Sequence, residues 1–286
     1  MIPLNPSFES MSTHHNVVSL AARVGTTGAL LTESLPGFVA SVQSFFQNMV
    51  KSSPDFHVIE QKLFSHKLTA SKIQYTDMAK VTLYVPSGLS VSYLEWMKVM
   101  DDCSQTTLTL ETRVLDPFLT WVGLLTSDDS RFTNRRVKDG LADIDFADLD
   151  RLKKSIGQCF DRRVKDERPY GELLDRNKDW DTVIEESNLL TERTARIRPS
   201  VIYEKTQQLS HYLETLATHL SDPDTVDKFN NEYKKLFNRD IVSALADMTY
   251  KVAQEVEFFS VYVYYLESTA QAIEDSMVKI KKVAKL

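Results

Sequence analysis

After Gly171 the chain contains no glycine, and over the 115 residues that follow, only Pro199 and Pro223 interrupt it as prolines. Glycine and proline are the residues that most often end or kink a helix, because one carries excess backbone freedom and the other lacks a donor and clashes with the preceding turn. A tract this free of them, with apolar residues three and four apart, can hardly fold into anything but a few long helices.

The spacing divides the tract. Ile202, Thr206, Leu209, Leu213, Leu216 and Leu220 form one seam by alternating steps of four and three, ending near Ser221-Asp222-Pro223. Asp222 is expected to cap a helix restarting at Pro223, because proline in a first turn forfeits no hydrogen bond. A seam through Val226, Phe229, Tyr233 and Leu236 pauses near Asn238–Asp240. It resumes at Ile241 and runs through Leu245, Met248, Val252, Val256, Phe259, Val263, Leu266, Ala270, Ile273, Met277 and Ile280 to Ala284. One helix over 240–284 would be about 67 Å long at ~1.5 Å per residue, so it needs packing partners along its length. Its centre, Val256–Leu266, is apolar nearly all round and is expected to be buried on several faces; beyond Glu267 only one face is apolar. Val261–Tyr265 also has strand propensity, but helical periodicity on both sides favours helix.

Upstream, Phe38, Val39, Val42, Phe45, Phe46, Met49 and Val50 predict an amphipathic helix near 37–51, and Ser53-Pro54 predicts the start of another. Residues 80–86 alternate in period two and predict a short strand ended by Pro86-Ser-Gly88, with Ile73–Tyr75 as its hairpin partner. A helix from about 90 should turn Leu94, Met97 and Met100 inward, and Asp116-Pro117 reads as the cap and first residue of the next. Residues 107–110, Thr-Leu-Thr-Leu, fit helix or strand. The expected fold is mainly α, an elongated helical bundle with long C-terminal helices and a short N-terminal β-hairpin at about 73–85.

Charge suggests the organisation. Residues 1–126 carry 18 charged side chains, 127–200 carry 33, and 201–286 carry 23, which marks the middle as the most solvated part. The division drawn is an N-terminal region at 1–126, a charged connector containing a helix at 127–180, and a C-terminal long-helix bundle at 181–286. In the connector, Arg135-Arg136-Val-Lys-Asp139 returns as Arg162-Arg163-Val-Lys-Asp166. Each cluster could meet an acidic partner, or pair on the surface with the 17 acidic residues of 127–200.

A net charge of -6 supplies no general attraction to nucleic acid or anionic membrane. Two cysteines, Cys103 and Cys159, are too few for a secreted disulfide scaffold and read as free thiols in a reducing compartment. The first residues lack a basic stretch followed by an apolar block, and the densest apolar run is the nine residues Phe258–Leu266, short of a membrane span. These features predict a protein kept in the cytoplasm or packaged from it, neither secreted nor membrane-spanning.

No phosphate-cradling glycine loop, nucleophile elbow or zincin motif occurs. His211 and His219, eight apart on one helix, lie about 12 Å apart along its axis and cannot share a zinc ion. The acidic run Asp143, Asp145, Asp148 and Asp150 fails as a calcium loop, having Ala147 and Asp148 where a ligand and glycine are needed. Interleaved with Ile144 and Phe146, it reads better as an acidic segment leading into a helix at about 147–160, or as a dock for a basic partner.

No cofactor, metal or catalytic residue is nominated. The expectation is a non-enzymatic structural or interaction protein, a helical subunit of a larger assembly such as a virion or intracellular particle, with an adaptor or regulator acting through its charged middle as the alternative. Its partners would be other copies of the chain or other proteins. Candidate interface residues are Phe259, Val263, Leu266, Ile273, Met277 and Ile280 on the last helix, Ile144 and Phe146 in the acidic segment, and Arg135, Arg136, Arg162 and Arg163.

Overall fold

Among the described residues of the glycine-free tail, Pro199–His219 and Ile241–Ala284 are long helices. In the computed structural model, which describes residues 81–126, 139–173, 196–225 and 241–284 apart from 87, 162, 166 and 221, together with 185, 189, 192, 193, 227 and 231, the described residues are mainly α-helical. The expected helices at 37–51 and from 54, and the break at 238–240, lie outside these residues.

The elements run in the order β1 (Thr82–Tyr84), α1 (Tyr93–Leu108), a π turn (Glu111–Leu115), α2 (Asp116–Thr126), α3 (Leu149–Gln158), β2 (Glu167–Pro169), α4 (Tyr170–Leu173), α5 (Pro199–His219) and α6 (Ile241–Ala284). At 44 residues α6 is about 66 Å long. β1, α1 and α3 pack against it, α3 also packs on α1, and α5 lies against α2 and the π turn. Its apolar centre is buried as its composition requires: Val256, Phe258, Phe259, Tyr262, Val263 and Leu266 are all within the core, and each large side chain contributes about 1.5–3 kcal/mol of transfer free energy. Val261–Tyr265, despite its strand propensity, is helical.

α5 buries the seam Ile202, Thr206, Leu209, Leu213, Leu216 and Leu220, and Asp222 caps the restart at Pro223 by accepting from the Thr225 backbone N–H at 3.2 Å and its hydroxyl at 2.6 Å. α1 begins on a capping box in which the Ser92 hydroxyl accepts from Glu95 N and the Glu95 carboxylate accepts from Ser92 N. Its inner face holds Tyr93, Trp96, Met97, Met100, Cys103 and Thr107, while Leu94 is only half-buried.

The predicted strand forms, but its partner is not local. β1 pairs antiparallel with β2, Leu83 opposite Arg168, so the two-stranded sheet joins segments far apart in the chain. Ile73–Tyr75 lie outside the described residues. The outer edge of β1 is sealed by α6, whose Ser276 hydroxyl accepts from Tyr84 N and donates to Tyr84 O, both at 3.0 Å. Beyond the strand Gly88 adopts φ 79°, and a Cβ there would stand 3.2 Å from the Asp161 carbonyl oxygen, which explains why glycine ends this turn. One hydrophobic core, extending from Leu83 to Ala270, takes residues from all three regions that charge density separates.

Candidate functional site

Asp116-Pro117 does not start a helix from a fresh cap. The chain leaves α1 at Thr109, resumes at Leu110 and enters α2 through a π turn in which Asp116 N donates to Glu111 O. Pro117 has no N–H to give the carbonyl four residues earlier, that of Arg113. The backbone N–H of Asp145 donates to that carbonyl instead, at 3.1 Å. A proline in one segment thus creates the acceptor that fixes another.

The same residue holds the acidic segment through its side chain. Arg113 donates from Nη1 and Nη2 to the two carboxylate oxygens of Glu255 at 3.1 and 3.0 Å, a bidentate pair in which Arg113 is 14 % exposed and Glu255 2 %. Nη1 also donates to the Asp145 carbonyl, and Glu255 Oε1 accepts from Ala147 N at 2.6 Å. The extended stretch 144–148 is therefore strapped to α6 through its backbone. Ile144 lies in the core, Phe146 is half-buried with Lys251 Nζ 5.4 Å from its ring centre, and Asp143, Asp145, Asp148 and Asp150 remain exposed. Asp148 caps α3 by accepting from Arg151 N at 3.1 Å, in line with the expected helix start.

A second polar centre lies where α1 crosses α6. Trp96 Nε1 donates to Thr269 Oγ1 at 2.8 Å, and that hydroxyl donates to the Tyr265 carbonyl at 2.7 Å. Trp96, Phe160 and Tyr265 pack ring on ring with centroids 5.0 to 6.0 Å apart, which fills the space between them. Nearby, the Tyr93 hydroxyl donates to the Tyr84 carbonyl, and burial, partly offset by its bond with Ser276, pushes its pKa up to about 12. Three residues beyond Ser276 on α6, Lys279 meets Glu167 at 3.0 Å and stands 3.8 Å over the Tyr84 ring.

The cysteines are buried free thiols. Burial first, then the charge of Asp102 and the proximity of Cys159, raises Cys103 to about 12, against the lowering influence of Arg151. Burial and then Glu95 raise Cys159. Both are held as thiols at neutral pH, the opposite of what a nucleophile needs. Among the described residues no three His, Cys, Asp or Glu side chains converge on a metal-sized site, and no helix is long and apolar enough to cross a membrane.

The candidate interface residues divide sharply. Phe259, Val263 and Leu266 are 0 %, 1 % and 0 % exposed, and the Tyr203 ring of α5 meets Phe259 edge-on at 6.0 Å, so their apolar surface is already covered within the chain. They offer no free surface to a partner. Ile273 is half-buried against the core, and Met277 and Ile280 belong to α6 but their side chains lie outside the described set, as do Arg135, Arg136 and Arg162. Arg163 is 89 % exposed and pairs with Asp161 at 2.9 Å; this hydrogen bond, with a second from the Arg163 backbone, holds the Asp161 carboxyl below its usual range. Among the described residues the large apolar side chains left exposed are Leu189, Tyr212 on α5, and Val278 and Val283 on the last two turns of α6, the last two being 50 % and 41 % exposed.

Arg113, Glu255 and Thr269 are the site-forming residues that periodicity passes over. One sequence signal existed for Glu255: it stands beside Val252, Val256 and Phe259 on a face that is otherwise apolar. Comparison of the chain with protein-family models, curated proteins and solved structures finds no match to any of them.

Proposed function

We propose that this is a non-enzymatic structural protein, a helical subunit that joins a larger assembly, such as a virion or an intracellular particle, through the distal end of α6. The observation that supports this reading is the change along that one helix: its centre buries Val256, Phe258, Phe259, Tyr262, Val263 and Leu266 in its own chain, while its last turns carry Val278 and Val283 in the open. A rigid helix that buries its middle in its own fold and exposes apolar residues on its last turns offers a partner a pre-ordered surface at little entropic cost.

The test is size-exclusion chromatography with light scattering across a concentration series, on the intact chain and on Val278→Glu/Val283→Glu. The intact chain is expected to exceed the monomer mass and the double variant to return toward it. A concentration-independent monomer would overturn self-assembly. Point substitutions are preferred to truncation, because removing 267–286 would also take Thr269, Ala270 and Ser276 out of the core.

The adaptor reading is supported by a separate observation, the exposure of Asp143, Asp145, Asp148 and Asp150 along one short segment whose backbone is fixed. Those carboxylates present a charged surface suited to a basic partner. Loss of pull-down by a positively charged partner on changing all four to asparagine would distinguish this from assembly through α6.

A further inference from the structure

Residues 276–286 hold four lysines, Lys279, Lys281, Lys282 and Lys285, and no aspartate or glutamate. On the last turns of α6, Lys282 is exposed together with Val278 and Val283, and at ~100° of rotation per residue it falls between the two valines around the helix. This end of α6 is both apolar and positively charged. Two such ends meeting each other would bring like charges together, which works against a tail-to-tail contact. A surface that fits it carries carboxylates beside an apolar edge.

The chain presents such a surface at 143–150. Asp143, Asp145, Asp148 and Asp150 are exposed, and among the described residues no lysine or arginine side chain forms an ion pair with any of them. Phe146, half-buried, lies among these carboxylates. The backbone beneath them is fixed by Ala147 N on Glu255, by Asp145 N on the Arg113 carbonyl and by Leu152 N on the Asp148 carbonyl, with Ile144 in the core. The segment meets α6 at Lys251 and Glu255, whereas Val278 and Val283 lie about 35 to 42 Å beyond Glu255 along the same helix. One chain cannot bring its own two surfaces together, so each is left open to another copy.

We propose that the distal end of α6 in one copy docks on the 143–150 segment of a second copy, with Lys282 meeting the carboxylates and Val278 and Val283 covering the open edge of Phe146. The proposal rests on the reading that the chain assembles through α6, and it names the surface that α6 meets. The contact joins two different surfaces, so it is heterologous. Each pair of copies retains one unused α6 end and one unused acidic segment, and further copies add head to tail into a ring or an open filament. Both surfaces are held in place before they meet, which keeps the ordering cost low, and their opposite charges make the association weaken as salt rises.

A mixing experiment on the full-length chain, read by light scattering after size exclusion, tests this. Val278→Glu/Val283→Glu removes the α6 half of the contact, and Asp143→Asn/Asp145→Asn/Asp150→Asn removes the acidic half, Asp148 being kept because it caps α3. Each variant alone is expected to run at the monomer mass. Their equimolar mixture is expected to run at twice that mass and no higher, since one variant keeps the acidic segment and the other keeps the α6 end. The intact chain should exceed the dimer mass at low salt and fall toward the monomer at high salt. Circular dichroism checks that both variants keep the helical content of the intact chain; if the valine variant does not, Lys282→Glu takes its place. An asparagine variant that self-associates as the intact chain does, or a mixture that stays at the monomer mass, would overturn the head-to-tail contact while leaving assembly through α6 standing. An intact chain that is monomeric at every concentration would overturn both.

Discussion

The indole of Trp96 on α1 donates to the hydroxyl of Thr269 on α6 through a hydrogen bond 2.8 Å long, between two side chains with no exposed surface. The threonine passes the bond on to Tyr265 O, so the indole N–H has one acceptor and that acceptor is itself held in place. Thr269→Val keeps the shape and leaves the N–H unpaired in the core, which costs about 1–3 kcal/mol. Thr269→Ser keeps the acceptor and loses one methyl group, about 0.8 kcal/mol. Urea unfolding followed by circular dichroism should therefore rank the variants wild type, Ser, Val. Equal midpoints for Val and wild type would mean that the indole has another partner.

Arg113 and Glu255 behave as a unit in a second prediction. Arg113→Met leaves a buried carboxylate whose guanidinium partner is gone, and should cost about 3–5 kcal/mol. Adding Glu255→Leu removes that stranded charge. The double variant should then lose less than the single, about 1–3 kcal/mol, the remainder reflecting the Ala147 N–H and Asp145 carbonyl that no longer have partners. A double-mutant cycle on unfolding free energy reads the coupling, and additive losses would show that the two side chains act independently.

What periodicity could reveal is the surface each helix turns inward. The seams of α5 and α6 were legible from Ile202 to Leu220 and from Leu245 to Ala270 because burial repeats with the helical turn. The strand at Thr82–Tyr84 was legible from its alternation, yet its partner was not: Glu167-Arg168-Pro169 has two charges and a proline, and pairs through a contact far along the chain. Pro117 suggested a helix start, but the chain enters α2 through a π turn, and the Arg113 carbonyl takes its bond from Asp145, distant in the sequence. The Arg113–Glu255 pair spans 142 residues, and no local pattern encodes it. Candidate interface residues drawn from the same seam as the core, such as Phe259, went to the core for the reason they were noticed.

Stability should fall on both sides of a neutral plateau. Burial raises the Cys103 thiol and the Tyr93 and Tyr203 hydroxyls to about 12 each. Above roughly pH 8.5 to 10, where ordinary thiols and phenols titrate, the unfolded chain gives up protons that the folded chain retains. The stability these groups contribute is complete below that range and is lost as pH rises toward 12. On the acid side, Asp161, Glu167 and Asp222 are lowered, chiefly by hydrogen bonds from Arg163, Lys279 and Thr225. Their contribution is present above the usual carboxylate range and disappears as pH falls below it. Thermal midpoints measured from pH 3 to 11 should show both declines; a midpoint rising from pH 9 to 11 would contradict the burial of the thiol and phenols.

Two hydroxyls have no hydrogen-bond partner among the described residues, Ser104 Oγ and Thr249 Oγ1, and both residues are 0 % exposed. One turn from Ser104, Thr107 is equally buried but donates its hydroxyl to the Cys103 carbonyl at 2.8 Å. The contrast on α1 isolates the value of a made bond. An unpaired buried hydroxyl carries a desolvation penalty of about 1–3 kcal/mol, part of which an apolar replacement of similar shape returns. Ser104→Ala and Thr249→Val should therefore be neutral or more stable by up to about 1 kcal/mol, with a higher urea midpoint and an unchanged slope. Thr107→Val, which discards a made bond, should lose about 0.5–1.5 kcal/mol. If Ser104→Ala lost as much as Thr107→Val, the serine hydroxyl would have to be bonded in solution, and α1 would be held at that turn by a contact beyond those described.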